Sequence, residues 1–253
     1  KEIIKATNLR LLRSSSAAMP VATIESLEHV FQCPVIEAYG MTEASHQMAS
    51  NFLESIRKPG SVGKPAGPEI ALFKNNKLIT TKNTVGEIVI KGANVTKGYK
   101  NNEKANEENF FDGWFKTGDL GKFDDDGFLF ISGRIKEIIN KGGEKISPQE
   151  IDEALMKHTA VFQAVCFSMK HEKLGEDIAA AVVLKEGKTV DEKELRTHLS
   201  KSITTFKIPR KILILSEIPK GNTGKIQRIG LAKKLGLETR RSVFLEADQL
   251  GVF

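Results

Sequence analysis

The stretch Gly113-Trp114-Phe115-Lys116-Thr117-Gly118-Asp119, continuing through residues 120–123 and 128–132 to Gly133-Arg134-Ile135-Lys136-Glu137, decides how this chain is read. Its two apolar runs flank Asp124-Asp125-Asp126-Gly127, a turn-forming cluster, and therefore read as paired strands. Upstream, residues 70–73 and 77–80 flank Asn75-Asn76, and Asn tolerates the positive φ that a two-residue hairpin turn needs. With a further strand over residues 85–90, these segments form a β subdomain.

Before it, Leu9-Arg10-Leu11-Leu12 reads as a short buried strand, followed by the small residues 14–18. Pro20 starts a helix with Ile24, Leu27, Val30 and Phe31 on its apolar face, and Val35-Ile36 begins the next strand. That rhythm belongs to an open α/β sheet, whose ligands collect in loops beyond the strand ends. After Arg134 a second unit begins. Ser147-Pro148-Gln149-Glu150 and Thr189-Val190-Asp191-Glu192 read as capping boxes opening two helices. Their apolar positions are Ile151, Ala154 and Leu155, then Leu195, Leu199 and Ile203. Strands are expected over 161–167, 178–184 and 211–215, giving a small α+β domain. The fold class is thus α/β and α+β, with residues 1–135 in one domain and 136–253 in a small second one.

Among 253 residues, 40% are hydrophobic and 28% charged, as in an ordinary soluble globular protein. No apolar run approaches the roughly 20 residues that cross a bilayer, and no signal peptide opens the chain, so neither membrane nor secretion is expected. Cys33 and Cys166 read as reduced core residues, which points to the cytoplasm. The five histidines show no metal-ligand spacing. The net charge of +6 concentrates after Lys201, which suits ATP, CoA or a nucleic acid, or reflects solvated lysines. A nucleic-acid reader is disfavoured because aromatic and basic residues do not interleave.

Several short blocks carry chemistry. Tyr39-Gly40-Met41-Thr42-Glu43 puts a hydroxyl and a carboxylate beside a sharp turn; they either hold Mg²⁺ and a phosphate or cap a helix, and both can hold at once. Asp119 offers two carboxylate oxygens, matching two ribose hydroxyls, or else serves as a turn aspartate. Arg134 either supports that contact or forms a surface ion pair. Lys225, in Gly221-Asn222-Thr223-Gly224-Lys225, is a mobile point charge on a loop. The block is no Walker A loop, since its glycines are too close and no Ser or Thr follows the lysine. Gly142-Gly143 permits close approach of a thin ligand or ends a helix.

Taken in order with Gly86-Glu87-Ile88, these blocks resemble the adenylate-forming superfamily of acyl-CoA synthetases over about residues 9 to 230. The resemblance implies that Tyr39 packs on adenine, that Gly40 and Met41 complete the AMP site, and that Ser16 and Ala17 lie beside it. It gives Thr42 the α-phosphate, Glu43 the Mg²⁺, and Asp119 the ribose with Arg134 in support. Lys225 would bridge the substrate carboxylate and the α-phosphate, Lys136 would be the hinge between half-reactions, and Lys141, Gly142 and Gly143 would face CoA. His46, with residues 94–99, looks like the oxalate–CoA ligase branch; it either pairs with the second carboxylate of a small diacid or is a helix histidine without a ligand. The implied activity is an AMP-forming carboxylate–CoA ligase using MgATP, CoA and a small acid. An aryl or amino-acid adenylation domain and a non-catalytic nucleotide-binding remnant are the alternatives. No phosphate loop precedes these blocks, so the chain is expected to begin inside the large domain and to be inactive alone. With it, either a homodimer through the uncovered sheet face or a rearrangement that stabilises that face is expected.

Overall fold

Val35-Ile36-Glu37-Ala38-Tyr39 is buried at every position, which requires a strand covered on both faces. In the computed structural model, which describes residues 8–15, 19–221 and 224–237, this segment is β2 (Val35–Met41) at the heart of a four-stranded sheet. The chain divides into two units, Lys1–Lys136 and Glu137–Phe253.

In the first unit, β1 (Leu12–Ser14) pairs parallel with β2 through helix α1 (Val21–Phe31). The strand expected over residues 9–12 thus begins at Leu12, because pairing aligns Leu12 with Val35. Of the predicted α1 face only Ile24 is buried, and Val30 is exposed. The sheet is open and mixed: β3 (His46–Ser50) and β4 (Lys64–Pro65) add antiparallel.

The β subdomain is antiparallel throughout. Its strands are β5 (Glu69–Lys74), β6 (Lys77–Ile79), β7 (Gly86–Lys91), β8 (Phe110–Phe111), β9 (Trp114–Phe123) and β10 (Leu129–Arg134). The path runs β10-β9-β7-β5-β6, with β8 beside β9. Asn75 and Asn76 both take positive φ, 51° and 58°, so the twist of the β5–β6 turn matches its strands. Helix α2 (Glu103–Asn109), which the sequence reading missed, is capped by the Asn102 side chain accepting from Ala105 N–H at 3.2 Å. Met48 and Ala49 of the first sheet share a core with Leu72, Ile88, Ile90, Phe115 and Leu129.

The second unit contains β11 (Ile139–Lys141), β12 (Glu144–Ile146), β13 (Val161–His171), β14 (Gly175–Leu184) and β15 (Lys211–Leu215). Its helices among the described residues are α3 (Pro148–Met156), α4 (Glu192–Leu199) and the short α5 (Leu231–Lys234). β14 alternates between two cores. Ile178, Ala180 and Val182 join Ile151, Leu155, Leu195 and Leu199 of α3 and α4, while Ala179 and Ala181 join Leu231 and Ala232 of α5.

The helix starts differ from the predicted boxes. Ser147 is the N-cap of α3 without a side-chain cap bond, and Glu150 instead binds Lys207 at 2.7 Å. The cap of α4 is Asp191, accepting from Glu194 N–H at 2.7 Å, two residues beyond Thr189. An aspartate that can reach its own N3 amide starts the helix there, so Thr189 stays outside it. Cys33 and Cys166 are both buried and free, and burial pushes the Cys166 thiol well up.

Candidate active site

The first unit brings together three of the predicted residues. Asp119, only 4% exposed on β9, accepts the Tyr39 hydroxyl at 2.5 Å on one oxygen and Arg134 Nε at 2.8 Å on the other. Asp119 and Arg134 are direct partners in the β9–β10 register, so the hairpin itself sets that ion pair. Tyr39 comes from the other sheet and is buried in the shared core. Burial pushes the Tyr39 hydroxyl far above its usual range, with the Asp119 charge adding to it, so it stays a donor. Below this cluster, Asp119 N–H donates to Thr117 Oγ1 at 3.1 Å, and Gly118 N–H donates to Glu87 Oε1 at 3.2 Å. The Gly86-Glu87-Ile88 block is thereby tied to the loop carrying Asp119. Burial raises the Glu87 carboxyl, opposed by the Gly118 bond.

Gly40 has a steric cause. A Cβ there would sit 1.5 Å from the His46 carbonyl oxygen, because β3 folds back tightly at a bulge between Tyr39 and Gly40. The connection is a single 3-10 turn, Thr42–Ala44, whose N-cap is Met41 and not Thr42. It ends in Ser45 and His46 at φ 51° and 89°, so the predicted helix stops after three residues and His46 opens strand β3 with an exposed side chain. His46 is therefore no helix histidine: two successive left-handed residues cannot continue a helix.

Glu43 accepts the Tyr99 hydroxyl at 2.9 Å on Oε1, and its carbonyl accepts Thr96 N–H at 2.7 Å. Burial, then the Glu43 bond, raises the Tyr99 hydroxyl to about 12. Asn94 Nδ2 donates to the Ala44 carbonyl at 2.8 Å, and Ser45 Oγ returns a bond to the Asn94 carbonyl. The loop over 94–99 thus braces the turn holding Thr42 and Glu43. Sequence reading singled out 94–99 only as a branch marker; the Tyr99–Glu43 pairing spans 56 positions and left no local signal. No group of three or more metal-ligating side chains occurs among the described residues. A lone carboxylate with its second oxygen open suits a cation that arrives on phosphate oxygens, as Mg²⁺ does. A partly open cavity of about 60 Å³ beside Ile24, Glu28 and Glu37 is lined by none of these residues.

In the second unit, Gly142 and Gly143, at φ 60° and 95°, form the two-residue turn of the β11–β12 hairpin rather than a helix end. Nothing lies within 4 Å of a Cβ built on Gly143, so that side of the turn is open. Lys141 is engaged. Its ammonium lies 2.8 Å from Asp177 Oδ1 and 3.0 Å from the Phe206 carbonyl, over the Phe206 ring. Burial acts to raise the Asp177 carboxyl, but the Lys141 and Ile178 bonds outweigh it and hold it low. Lys225 is exposed on a closed loop: Gly221 N–H donates to the Lys225 carbonyl at 2.8 Å and Gly224 N–H to the Gly221 carbonyl at 2.9 Å. Ser16, Ala17, Asn222 and Thr223 lie outside the described residues. Lys136 ends the first unit, in the 3-10 turn Ile135–Glu137.

Two family models match in tandem, "AMP-binding enzyme" over residues 3–100 and "AMP-binding enzyme C-terminal domain" over 150–225. The chain is 50% identical over 222 residues to an oxalate–CoA ligase of Arabidopsis thaliana, covering 87% of this chain and 43% of that protein. It is 46% identical over 236 residues to an oxalate–CoA ligase of Saccharomyces cerevisiae, covering 92% and 44%. The crystal structure of ATP-bound MatB from Rhodopseudomonas palustris superposes with a TM-score of 0.83 at 31% identity, covering 89% of this chain and 45% of that one. The chain spans less than half the length of the curated relatives it matches.

Proposed function

Since this chain belongs to the AMP-binding enzyme family, we propose that it supplies the ribose-binding face and the lysine-bearing small domain of an AMP-forming carboxylate–CoA ligase. The observation carrying this is the buried Asp119 carboxylate, held from behind by Tyr39 and from the side by Arg134. A carboxylate has about four lone-pair sites. Two are taken by protein donors, which leaves two for a pair of vicinal hydroxyls. Tyr39 then acts chiefly through its hydroxyl, since its ring is packed in the core.

In the first half-reaction a carboxylate oxygen attacks the α-phosphorus of ATP and pyrophosphate leaves. In the second the CoA thiol attacks the acyl carbonyl and AMP leaves. Thr42 would face the α-phosphate, and Glu43, oriented by Tyr99, would hold Mg²⁺, which when bound would neutralise phosphate charge. Lys225 meets the oxygens on which negative charge shifts; removing one such donor typically costs about 3 kcal/mol of barrier or more. Lys136 is the hinge residue, and residues 1–135 and 136–253 are the two domains that it joins. The open side of Gly142-Gly143 admits the CoA arm, with Lys141 bracing that hairpin from Asp177 rather than meeting CoA.

The acid is small, and oxalate comes first, because the relatives named above are oxalate–CoA ligases. His46, exposed at the turn beside Glu43, would take the second carboxylate. Pyrophosphate–ATP exchange by the complete gene product, with oxalate and a panel of short acids, tests the reading. Exchange that depends on an added acid supports it; silence with every acid overturns it.

A further inference from the structure

Arg228 follows Lys225 by three residues, and its guanidinium, 20% exposed, is bonded on three sides within the second unit. Nη2 lies 2.6 Å from Asp152 Oδ2 on α3, Nη1 donates to the Cys166 carbonyl on β13 at 2.8 Å, and Nε lies 3.1 Å from Glu137 Oε2. Asp152 Oδ1 also accepts Cys166 N–H, at 2.5 Å, so helix and strand hold one side of the guanidinium jointly. Glu137 holds the other side, and it is the residue directly after Lys136. A planar guanidinium bonded through Nε and both terminal nitrogens has no rotational freedom left.

The lysine loop stands on that anchor. Lys220 and Ile226 form a bridge, Gly221 closes on Lys225, and Ile226 packs against the α5 core. The downstream foot of the loop is therefore clamped at Arg228.

We propose that Arg228, through Glu137, is a positioning residue that locks the Lys225 loop to the first residue beyond the Lys136 hinge. The ammonium then keeps one setting relative to the hinge whenever the second unit moves. This rests on the function proposed above. A purely structural role for the same bonds would tie stability, and nothing else, to Glu137.

The test uses the complete gene product with MgATP and oxalate, or whichever acid of the panel supports exchange, and the variant Glu137→Ala. That variant leaves the Arg228–Asp152 pair intact, and thermal melting checks that it folds. The expected result is a loss of about tenfold or more in the kcat for pyrophosphate exchange, with the KM for ATP nearly unchanged, because a misplaced catalytic group is costly even at small displacements. Thioester formation from adenylate preformed without CoA should change by less than about twofold, since Lys225 serves the other step. Glu137→Gln, which keeps an acceptor for Nε, should restore most of the loss. In a Lys225→Ala background, Glu137→Ala should cost nothing further, because residues acting through one another are not additive. Equal losses in both steps, or the same loss with and without Lys225, overturn the inference. So does unaltered exchange by Glu137→Ala in a protein whose unsubstituted form is active. No exchange by the unsubstituted protein with any acid overturns the functional reading, and this inference with it.

Discussion

Replacing Asp119 by asparagine separates its two tasks, holding the fold and holding a ligand. In the fold it accepts Tyr39 at 2.5 Å and Arg134 at 2.8 Å. The amide that replaces it can keep an oxygen toward Arg134 and turn its NH₂ toward the Tyr39 oxygen, which can accept. The Arg134 side chain is 63% exposed, so a weaker bond there costs about 0–1 kcal/mol. The buried Tyr39 hydroxyl loses its charged partner, and the folding cost sums to about 1–2 kcal/mol. Binding suffers more. An asparagine has one acceptor oxygen with two lone-pair sites, and in this orientation Arg134 uses one, so one bond to the vicinal hydroxyls is lost and the other is no longer charge-assisted. Taking about 1.5 kcal/mol for each charge-assisted bond and about 1 kcal/mol for the neutral one that stays, AMP binding weakens by about 2 kcal/mol, or roughly 30-fold. Calorimetric titration with AMP and with 2′,3′-dideoxy-AMP reads this directly. The unsubstituted protein should prefer AMP by about 100-fold, and Asp119→Asn by only about 5-fold. A protein that does not discriminate between the two nucleotides, or a variant that discriminates as strongly as the unsubstituted protein, refutes the assignment of Asp119 to the ribose.

Three further outcomes follow from the same contacts. Gly40→Ala should cost more than about 3 kcal/mol in urea denaturation, since its methyl would lie 1.5 Å from the His46 oxygen, whereas Gly224→Ala, at φ 75° in open space, should cost about 1 kcal/mol; similar costs would contradict the close approach of β3. Tyr99→Phe removes the bond to Glu43 and should raise the Mg²⁺ concentration for half-maximal exchange by about 3- to 10-fold, the usual scale for loss of an outer-shell partner being tenfold or more, with the KM for the acid unchanged; an unchanged Mg²⁺ dependence would remove Tyr99 from the site. Glu192 joins α4 to β15 through Arg196, the Ile212 N–H and Lys211, and although burial opposes them these bonds hold its carboxyl at about 2, below the ordinary 4.5. Its stabilisation is therefore present above about pH 4.5 and lost as pH falls toward 2, amounting to about 1–2 kcal/mol after solvent screening. Glu192→Gln should flatten that acid limb, and parallel pH curves for the two proteins would argue against it.

What the sequence disclosed was whatever sits close together along the chain. Asp119 and Arg134 are 15 positions apart across one hairpin, whose turn at 124–127 was legible, while their association was implied only by the family resemblance. The Asn75-Asn76 turn and the strand over residues 178–184 were legible for the same reason. Of the two readings of His46, the helix histidine fails even though Thr42-Glu43-Ala44 does open like a helix. What stops it is the left-handed Ser45–His46 pair, fixed by β3 folding back over Gly40, and that fold-back is a tertiary contact. Tyr39 and Asp119 are separated by 80 positions and Arg228 and Glu137 by 91, distances at which residue spacing carries no geometric information.

The basic terminal third shows how contact geometry changes the meaning of composition. From Lys201 onward the sequence suggests a polyanion surface, yet Lys207, Arg210, Lys211, Lys220 and Arg228 each lie within 4 Å of a carboxylate in their own unit. That charge is thus paired within the unit, where it links α3, α4 and β15 to their neighbours. Among the described residues of this stretch, Lys201, Lys225, Lys233 and Lys234 make no ion pair. Lys233 and Lys234 end the four-residue helix α5, where the carbonyl ends of the turn favour cations, and Lys201 sits in the turn leaving α4. Lys225 has no such local reason. Its loop is closed by two backbone bonds and clamped at Ile226 and Arg228, so the fold constrains the backbone closely while leaving the charge uncompensated. A cation presented in that way suits a ligand that brings its own negative charge, and it explains why Lys225→Ala should leave the melting temperature nearly unchanged while slowing adenylation by about 100-fold or more.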